Sequence, residues 1–107
     1  MPWIVAVSAD DIEPEDVIRW DHGGQTYALY RTLDDTYFCT DGLCTHEQVH
    51  LADGLLQGHL IECSKHNGRF DIRDGAPKRP PVCEALKTYP VRLAGGQVLI
   101  DLPEYPG

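Results

Sequence analysis

This 107-residue sequence contains few basic residues and no long hydrophobic run. Nine Lys and Arg stand against seventeen Asp and Glu, which gives a formal net charge of -8. That excess of acid repels nucleic acid and anionic lipid surfaces. The apolar runs are too short to span a bilayer, and the N-terminus lacks the pattern of a secretory signal. We therefore expect a cytoplasmic protein that binds neither nucleic acid nor a membrane, and whose partners offer basic docking patches.

Helical periodicity is also nearly absent. Short runs rich in Val, Ile, Tyr, Thr and Leu alternate with turns that contain Gly or Asp, which is typical of an all-β domain. The first four predicted strands form an antiparallel meander and span residues 3–7, 17–21, 25–32 and 36–40. Later strands are predicted over residues 59–62, 69–72, 84–93 and 97–102, the last two as a hairpin through Gly95-Gly96. A stiff loop without strand pairing is predicted between the strands 69–72 and 84–93, because this segment contains Pro77, Pro80 and Pro81.

A chain of this length makes one domain with one modest core. After residue 40 the sequence becomes polar and punctuated by glycine, and this texture continues to about residue 81. Four of the five histidines fall in this stretch. Residues 41–81 are therefore predicted to form a subdomain and not a linker.

Two short stretches each carry one cysteine and one histidine: Cys44-Thr45-His46 and Cys63-Ser64-Lys65-His66. Four cysteines without a secretory signal favour metal binding over a disulfide framework. Thiolates bind iron bridged by sulfide, and imidazoles in place of two thiolates leave a less negative cluster that is easier to reduce. The sequence therefore predicts a [2Fe-2S] site with four ligands, namely Cys44, His46, Cys63 and His66.

Two zinc sites are alternatives for the same residues. The string HEQVH over residues 46–50 matches H-E-x-x-H, in which two histidines one helical turn apart bind zinc and the glutamate activates water. This interpretation needs a helix through residues 46–50, and it leaves Cys44, Cys63 and His66 unexplained. A structural zinc site takes the same ligand types, but the usual finger pairs its cysteines in one loop and its histidines in the other.

The order C-x-H, sixteen intervening residues, then C-x-x-H resembles the signature of the Rieske proteins. The continuation HNGRFDIRDGAP over residues 66–77 is similar to the Rieske-type ferredoxins of aromatic-ring-hydroxylating oxygenases. The resemblance implies an all-β Rieske fold, with a basal β domain of residues 1–40 and 82–107 and an inserted cluster-binding subdomain of residues 41–81. It also implies one [2Fe-2S] cluster per chain, with the two cysteines on a buried iron and the two histidines on an outer iron at the surface.

The same resemblance implies a one-electron carrier and not an enzyme. A flavin-containing NAD(P)H ferredoxin reductase would supply electrons and a terminal oxygenase component would receive them, since the chain shows no flavin, nicotinamide or phosphate-binding fingerprint. We expect a monomer. Two other roles use identical ligands: a carrier for a redox enzyme that is not an oxygenase, and a small Rieske subunit of a larger reductase.

Several positions depart from the pattern of related proteins. Respiratory Rieske proteins carry a disulfide whose positions fall here on Val49 and Lys65. Hydroxyl groups that bond to the cluster in the family fall on Gly68 and Phe70, whose side chains donate no hydrogen bond. Fewer donors stabilise the reduced cluster less, so we expect a reduction potential in the lower part of the Rieske range.

Other cysteines, histidines and loop residues have more ordinary expected roles. Cys39 and Cys83 are predicted to be buried thiols and not a disulfide. His50 and His59 lack the spacing of a ligand pair, which favours surface or hydrogen-bonded roles. Asn67 stands where most relatives have glycine, and Ser64 where they have proline. At these two positions we expect a local difference in the loop backbone.

Overall fold

The protein forms three antiparallel β-sheets in a computed structural model, which describes residues 3–46, 48–65, 67–82 and 84–102. The first sheet has the strand order β1 (Trp3–Ser8), β11 (Gln97–Asp101) and β10 (Val91–Ala94). Gly95 and Gly96 join β10 to β11 with φ angles of 59° and 76°. Glycine adopts this left-handed conformation without a steric cost. The predicted hairpin at the end of the described chain is therefore confirmed.

The second sheet has the strand order β2 (Asp16–His22), β3 (Gln25–Arg31), β4 (Tyr37–Asp41) and β9 (Thr88–Tyr89). Strand β3 lies between two hydrophobic cores, because its successive side chains point to opposite faces of the sheet. Ala28 and Tyr30 belong to one core, whereas Tyr27 and Leu29 belong to the other. The second sheet thus separates the core beneath the predicted metal ligands from the core beneath the first sheet.

The third sheet contains four short strands in sequence order, all within residues 55–79. They are β5 (Leu55–Gln57), β6 (Leu60–Glu62), β7 (Arg69–Asp71) and β8 (Pro77–Arg79). One face of this sheet is apolar: Leu56, Ile61 and Phe70 are opposite each other across β5, β6 and β7, and all three are buried. They pack into the same core as Ala28 and Tyr30 of the second sheet.

The all-β prediction is confirmed, but three details of the strand pattern were wrong. Strand β1 pairs with β11 and not with β2, so the meander includes only β2, β3 and β4. The predicted strand over residues 84–93 begins later and is interrupted at Pro90, because proline cannot donate to a ladder. Strands β5 and β8 were missed. Pro77 begins β8 at a sheet edge, where proline is tolerated.

Short 3-10 helices span Ala9–Asp11 and Leu51–Asp53. In the described part of the chain, no helix has the length and apolar character needed to cross a bilayer. The division into residues 41–81 and a basal domain stays a prediction.

Candidate metal centre

The first predicted ligand loop follows β4 and closes on itself through backbone contacts. The N–H of Cys44 donates to the carbonyl of Val49 at 2.9 Å, and Leu43 and His50 form an isolated antiparallel bridge. The Cys44 side chain is fully buried inside this loop, whereas His46 is exposed. The loop therefore separates its two candidate ligands, with the thiol inside and the imidazole at the surface.

His50 fixes the base of this loop. Its Nδ1 accepts a hydrogen bond from the backbone N–H of Ala52 at 3.0 Å, and its Nε2 lies 2.9 Å from Oγ1 of Thr26 in β3. The ring also packs against Gly42, where a Cβ atom would lie only 2.5 Å from Nε2. The expected hydrogen-bonded role is confirmed. Its partner Thr26 is 24 positions away and had no sequence signal.

The second predicted ligand loop joins β6 to β7. The N–H of Cys63 donates to the carbonyl of Gly68 at 2.8 Å, and the N–H of Asn67 donates to the carbonyl of Cys63 at 3.1 Å. Asn67 has a φ of 59°, a left-handed conformation that glycine and asparagine adopt most readily. Asn67 therefore suits this turn as the glycine of related proteins would. His66 lies outside the described residues.

The two loops place Cys44 and Cys63 in one hydrophobic core. Cys44 is 0% and Cys63 is 1% exposed, and both are thiols that form no disulfide. Apolar side chains from the second sheet, the third sheet and the segments next to them complete this core, among them Ala28, Tyr30, Leu51, Ile61, Phe70 and Ile72. Water is therefore excluded from the sulfur side of the candidate site.

The proline-containing segment after β8 covers this core from a third side. Val82 and Leu86 are buried in it. The hydroxyl of Thr45 donates to the carbonyl of Glu84 at 2.9 Å, and the N–H of Leu86 donates to the carbonyl of Gly75 at 2.8 Å. The first ligand loop is thus tied to a segment 39 residues further along the chain. Neither contact had a signal in the sequence.

Cys39 belongs to the other core, beneath the first sheet. It is 1% exposed and forms no disulfide, which confirms the predicted buried thiol. Burial raises the pKa of Cys39 above its usual value, and the nearby charge of Asp41 acts in the same direction. A thiol that stays protonated is a poor metal ligand. Cys83 lies outside the described residues.

The H-E-x-x-H interpretation requires a helix, and the described residues of this string, 46 and 48–50, form none. His50 has extended backbone angles, with φ of -72° and ψ of 132°, and both of its ring nitrogens are engaged in hydrogen-bond contacts. In the described ranges, which omit Glu47 and His66, no three His, Cys, Asp or Glu side chains are grouped so that they could hold one metal ion. The four-ligand set stays a prediction because His66 is not described.

The donor chemistry of the described ligands fits an iron-sulfur cluster. Two water-excluded cysteines on separate loops offer soft thiolate ligands, which iron bridged by sulfide prefers. His46 offers an exposed imidazole on the same loop as Cys44. These residues therefore match a cluster whose sulfur-ligated side is buried and whose nitrogen-ligated side reaches the surface.

Comparison with protein families identifies the group to which this arrangement belongs. Residues 2–90 match the model of the Rieske [2Fe-2S] domain. The chain is a member of the Rieske family. A curated Rieske relative is the ferredoxin component of the naphthalene 1,2-dioxygenase system of Pseudomonas aeruginosa. It is 43% identical over 100 residues, which cover 94% of this chain and 95% of the relative.

Solved Rieske structures have the same fold. The ferredoxin of Sphingomonas yanoikuyae B1 superposes with a TM-score of 0.89 at 35% identity, covering 95% of this chain and all of that one. A second match comes from the complex of reduced oxygenase and oxidized ferredoxin in carbazole 1,9a-dioxygenase. Its TM-score is 0.85 at 30% identity, covering 92% of this chain and 91% of that one. The Rieske fold expected from the sequence is therefore confirmed.

Proposed function

We propose that this Rieske protein binds one [2Fe-2S] cluster through Cys44, His46, Cys63 and His66 and carries single electrons to a terminal ring-hydroxylating oxygenase. The observation that carries the proposal is the burial of Cys44 and Cys63 in one core, on two loops that each also contain a candidate histidine ligand. A bound cluster of this kind accepts and releases one electron. The naphthalene relative is the ferredoxin component of its dioxygenase system, so the protein acts as an electron carrier and not as an enzyme.

Buried residues of the chain would hold the cluster, and an exposed residue would face the redox partner. Cys44 and Cys63 anchor the buried side, where the surrounding apolar side chains exclude water. His46 is exposed, so a docked protein can approach this residue. Electrons would therefore enter and leave on the histidine side, where a redox partner can approach most closely.

The partners follow from the relatives. The naphthalene relative is the ferredoxin component of a dioxygenase system, and the carbazole relative was solved with its oxygenase. We infer that an oxygenase component accepts the electron from this protein. A flavin-containing NAD(P)H reductase is the electron donor we propose, since hydride carriers deliver electrons in pairs and a flavin releases them singly.

Cysteine substitutions test the cluster and its ligands. Cys44→Ser and Cys63→Ser should each abolish the iron and sulfide that the wild-type protein holds, about two of each per chain. Cys39→Ser is the matched control, because Cys39 is equally buried but lies in the other core. Iron and sulfide analysis, visible absorbance and the EPR signal of the reduced protein give the result. Zinc in a colourless wild-type protein would instead establish the structural zinc site.

An electron-transfer assay tests the role. The wild-type protein should restore oxygenase turnover when it is added to a purified reductase and oxygenase of one system. A loaded protein that the reductase reduces, but that no candidate oxygenase reoxidises, would contradict the assignment to an oxygenase system. That outcome would favour a redox enzyme of another class.

A further inference from the structure

The basic residues of this acidic protein are concentrated beside the second ligand loop. Residues 65–79 contain five Lys and Arg against two Asp, a net charge of +3, although the whole chain carries -8. All other parts of the chain together therefore carry -11. The net charge of this stretch, which follows Cys63, has the opposite sign to that of the whole chain.

The third sheet arranges part of this charge in one row. Leu55, Glu62, Arg69 and Arg79 are register neighbours across β5, β6, β7 and β8, and we call them the outer row. Side chains directly opposite each other in a sheet share a face. The next residues along β5, β6 and β7 form the buried apolar face, so the outer row faces away from the core. It lies at the end of the sheet where β6 leads into Cys63.

Ion pairing within the sheet accounts for only part of the charge in the outer row. Two arginines directly opposite each other repel, and a single carboxylate, that of Glu62, is within reach of both. Glu62 accepts a hydrogen bond from Nε of Arg69 at 2.9 Å, whereas its closest approach to Arg79 is 3.8 Å. The Arg79 side chain is 51% exposed. Arg69 is therefore the closer partner of Glu62, whereas Arg79 is a more distant partner and keeps half of its side chain exposed to solvent.

The outer row and the residues next to it have the composition of a protein contact surface. Leu55 is 54% exposed, although most large apolar side chains of the described chain are covered. Lys65 and Lys78 are exposed on the adjoining loop and strand. Arginine and exposed apolar side chains are common at the centre of protein interfaces. The net charge of -11 on the rest of the chain would repel a long polyanion such as nucleic acid. A protein with a confined acidic patch would contact only the basic surface and would avoid this repulsion.

We propose that the outer row, together with Lys65, is the docking surface for an acidic patch on the terminal oxygenase. The proposal rests on the electron-carrier function proposed above. The oxygenase is the chosen partner because a related ferredoxin was solved in complex with its oxygenase. Contact at this surface places the partner beside Cys63 and the second ligand loop. The recognition is local: carboxylates of the oxygenase pair with Arg79 and Lys65.

The experiment compares two double variants with the same loss of charge. Arg79→Gln/Lys65→Gln alters the proposed surface, and Arg19→Gln/Arg92→Gln is the control. Arg19 and Arg92 are exposed on β2 and β10, and neither strand belongs to the third sheet. Arg69 is left unchanged because it pairs with Glu62. The probes are the purified oxygenase and reductase of the system, and the readouts are the Kd of the oxygenase complex and the rate of reduction by the reductase.

We expect Arg79→Gln/Lys65→Gln to raise the Kd for the oxygenase about 3- to 10-fold at low ionic strength, with less than about 2-fold change in the control. The difference should vanish at high salt. Reduction by the reductase should be unchanged. Equal effects of both double variants would show that only net charge matters and would overturn the proposal. An effect on the reductase alone would also overturn it, as would tighter oxygenase binding.

Two further measurements keep the test decisive. Visible absorbance and circular dichroism establish that each variant retains its cluster and fold. If Lys65→Gln disturbs the adjacent ligand loop, Leu55→Gln replaces it, since Leu55 is exposed on the same face and should also weaken oxygenase binding. A loaded wild-type protein that binds no oxygenase refutes the proposed function. Wild-type binding with an unchanged Kd in the surface variants refutes only the docking surface.

Discussion

Oγ1 of Thr26 lies 2.9 Å from Nε2 of His50, so that a residue of β3 contacts the base of the first ligand loop. The other ring nitrogen of His50 accepts the N–H of Ala52. An imidazole that accepts at Nδ1 and is neutral has its proton on Nε2, which then donates to Thr26. This relationship requires the neutral ring, because a proton on Nδ1 would face the Ala52 N–H.

The stability of the protein should therefore depend on the protonation of His50. Burial lowers the pKa of His50, and the charge of Arg19 adds to this effect, against Asp53 and Asp21. A lowered pKa means that the folded state binds fewer protons than the unfolded state, so this contribution is complete above the usual value of 6.5 and is lost as pH falls below it. Urea unfolding at about pH 7.5 and about pH 5 should show that loss in the wild type.

His50→Asn removes the titrating group and should lower the free energy of unfolding near neutral pH by about 1–3 kcal/mol, since the contact with Thr26 is lost. On acidification, this variant should lose less additional free energy of unfolding than the wild type does. His22→Asn is the control, because His22 is exposed and stacks on Trp20. Identical pH profiles for the wild type and His50→Asn would contradict this assignment.

The tertiary structure also requires glycine at position 75. It has a φ of 77°, and a Cβ atom there would lie 2.0 Å from the carbonyl oxygen of Leu86. Gly75→Ala should reduce the free energy of unfolding by about 3 kcal/mol or more, since it combines backbone strain with a clash. Gly96 has a similar φ of 76° with open space around it. Gly96→Ala should therefore lower the free energy of unfolding by only about 1–2 kcal/mol. Equal losses in denaturant unfolding would show that the Leu86 contact is unimportant.

The reduction potential is predicted to be low for a Rieske protein. The Rieske resemblance implies that Gly68 and Phe70 stand where other family members place hydroxyl donors to the cluster, and Phe70 is fully buried in the core that contains Cys44 and Cys63. The wild-type midpoint should lie below about +150 mV, on a Rieske scale of roughly -150 to +300 mV. Phe70→Tyr should raise it by adding a donor. Phe38→Tyr, at the edge of the same core, should leave the potentiometric titration unchanged.

The proposed histidine ligation makes a separate prediction for the potential. His46→Cys replaces a neutral imidazole with a thiolate, whose negative charge disfavours reduction. If the variant retains its cluster, the midpoint should fall by on the order of 100 mV or more, toward the values of all-thiolate clusters. His22→Cys is the control, because that position is on β2. A variant with the wild-type midpoint would argue against His46 as a ligand.

Local patterns predicted the hairpins because the signals were close in sequence. The turn glycines and alternating side chains identified β2, β3 and β11 to within one residue at each end, but only the end of β10 was predicted correctly. They identified β1 but not its pairing, because its partner β11 lies near the other end of the described chain. They also failed for β5 and β8, since a three-residue strand is too short for a period to be recognised and is stabilised by its neighbours.

Three features of this protein were predictable from its residues alone: two Cys-His pairs with Rieske spacing, an all-β fold and an excess of acidic side chains. Ligand type and spacing are local properties that can be read directly from neighbouring residues. The tertiary structure decided which thiols share a core, since Cys39 and Cys44 are only five positions apart yet lie in different cores. It also decided that Arg69 and Arg79 stand side by side beside Cys63, because strand pairing brings together residues that the linear order separates.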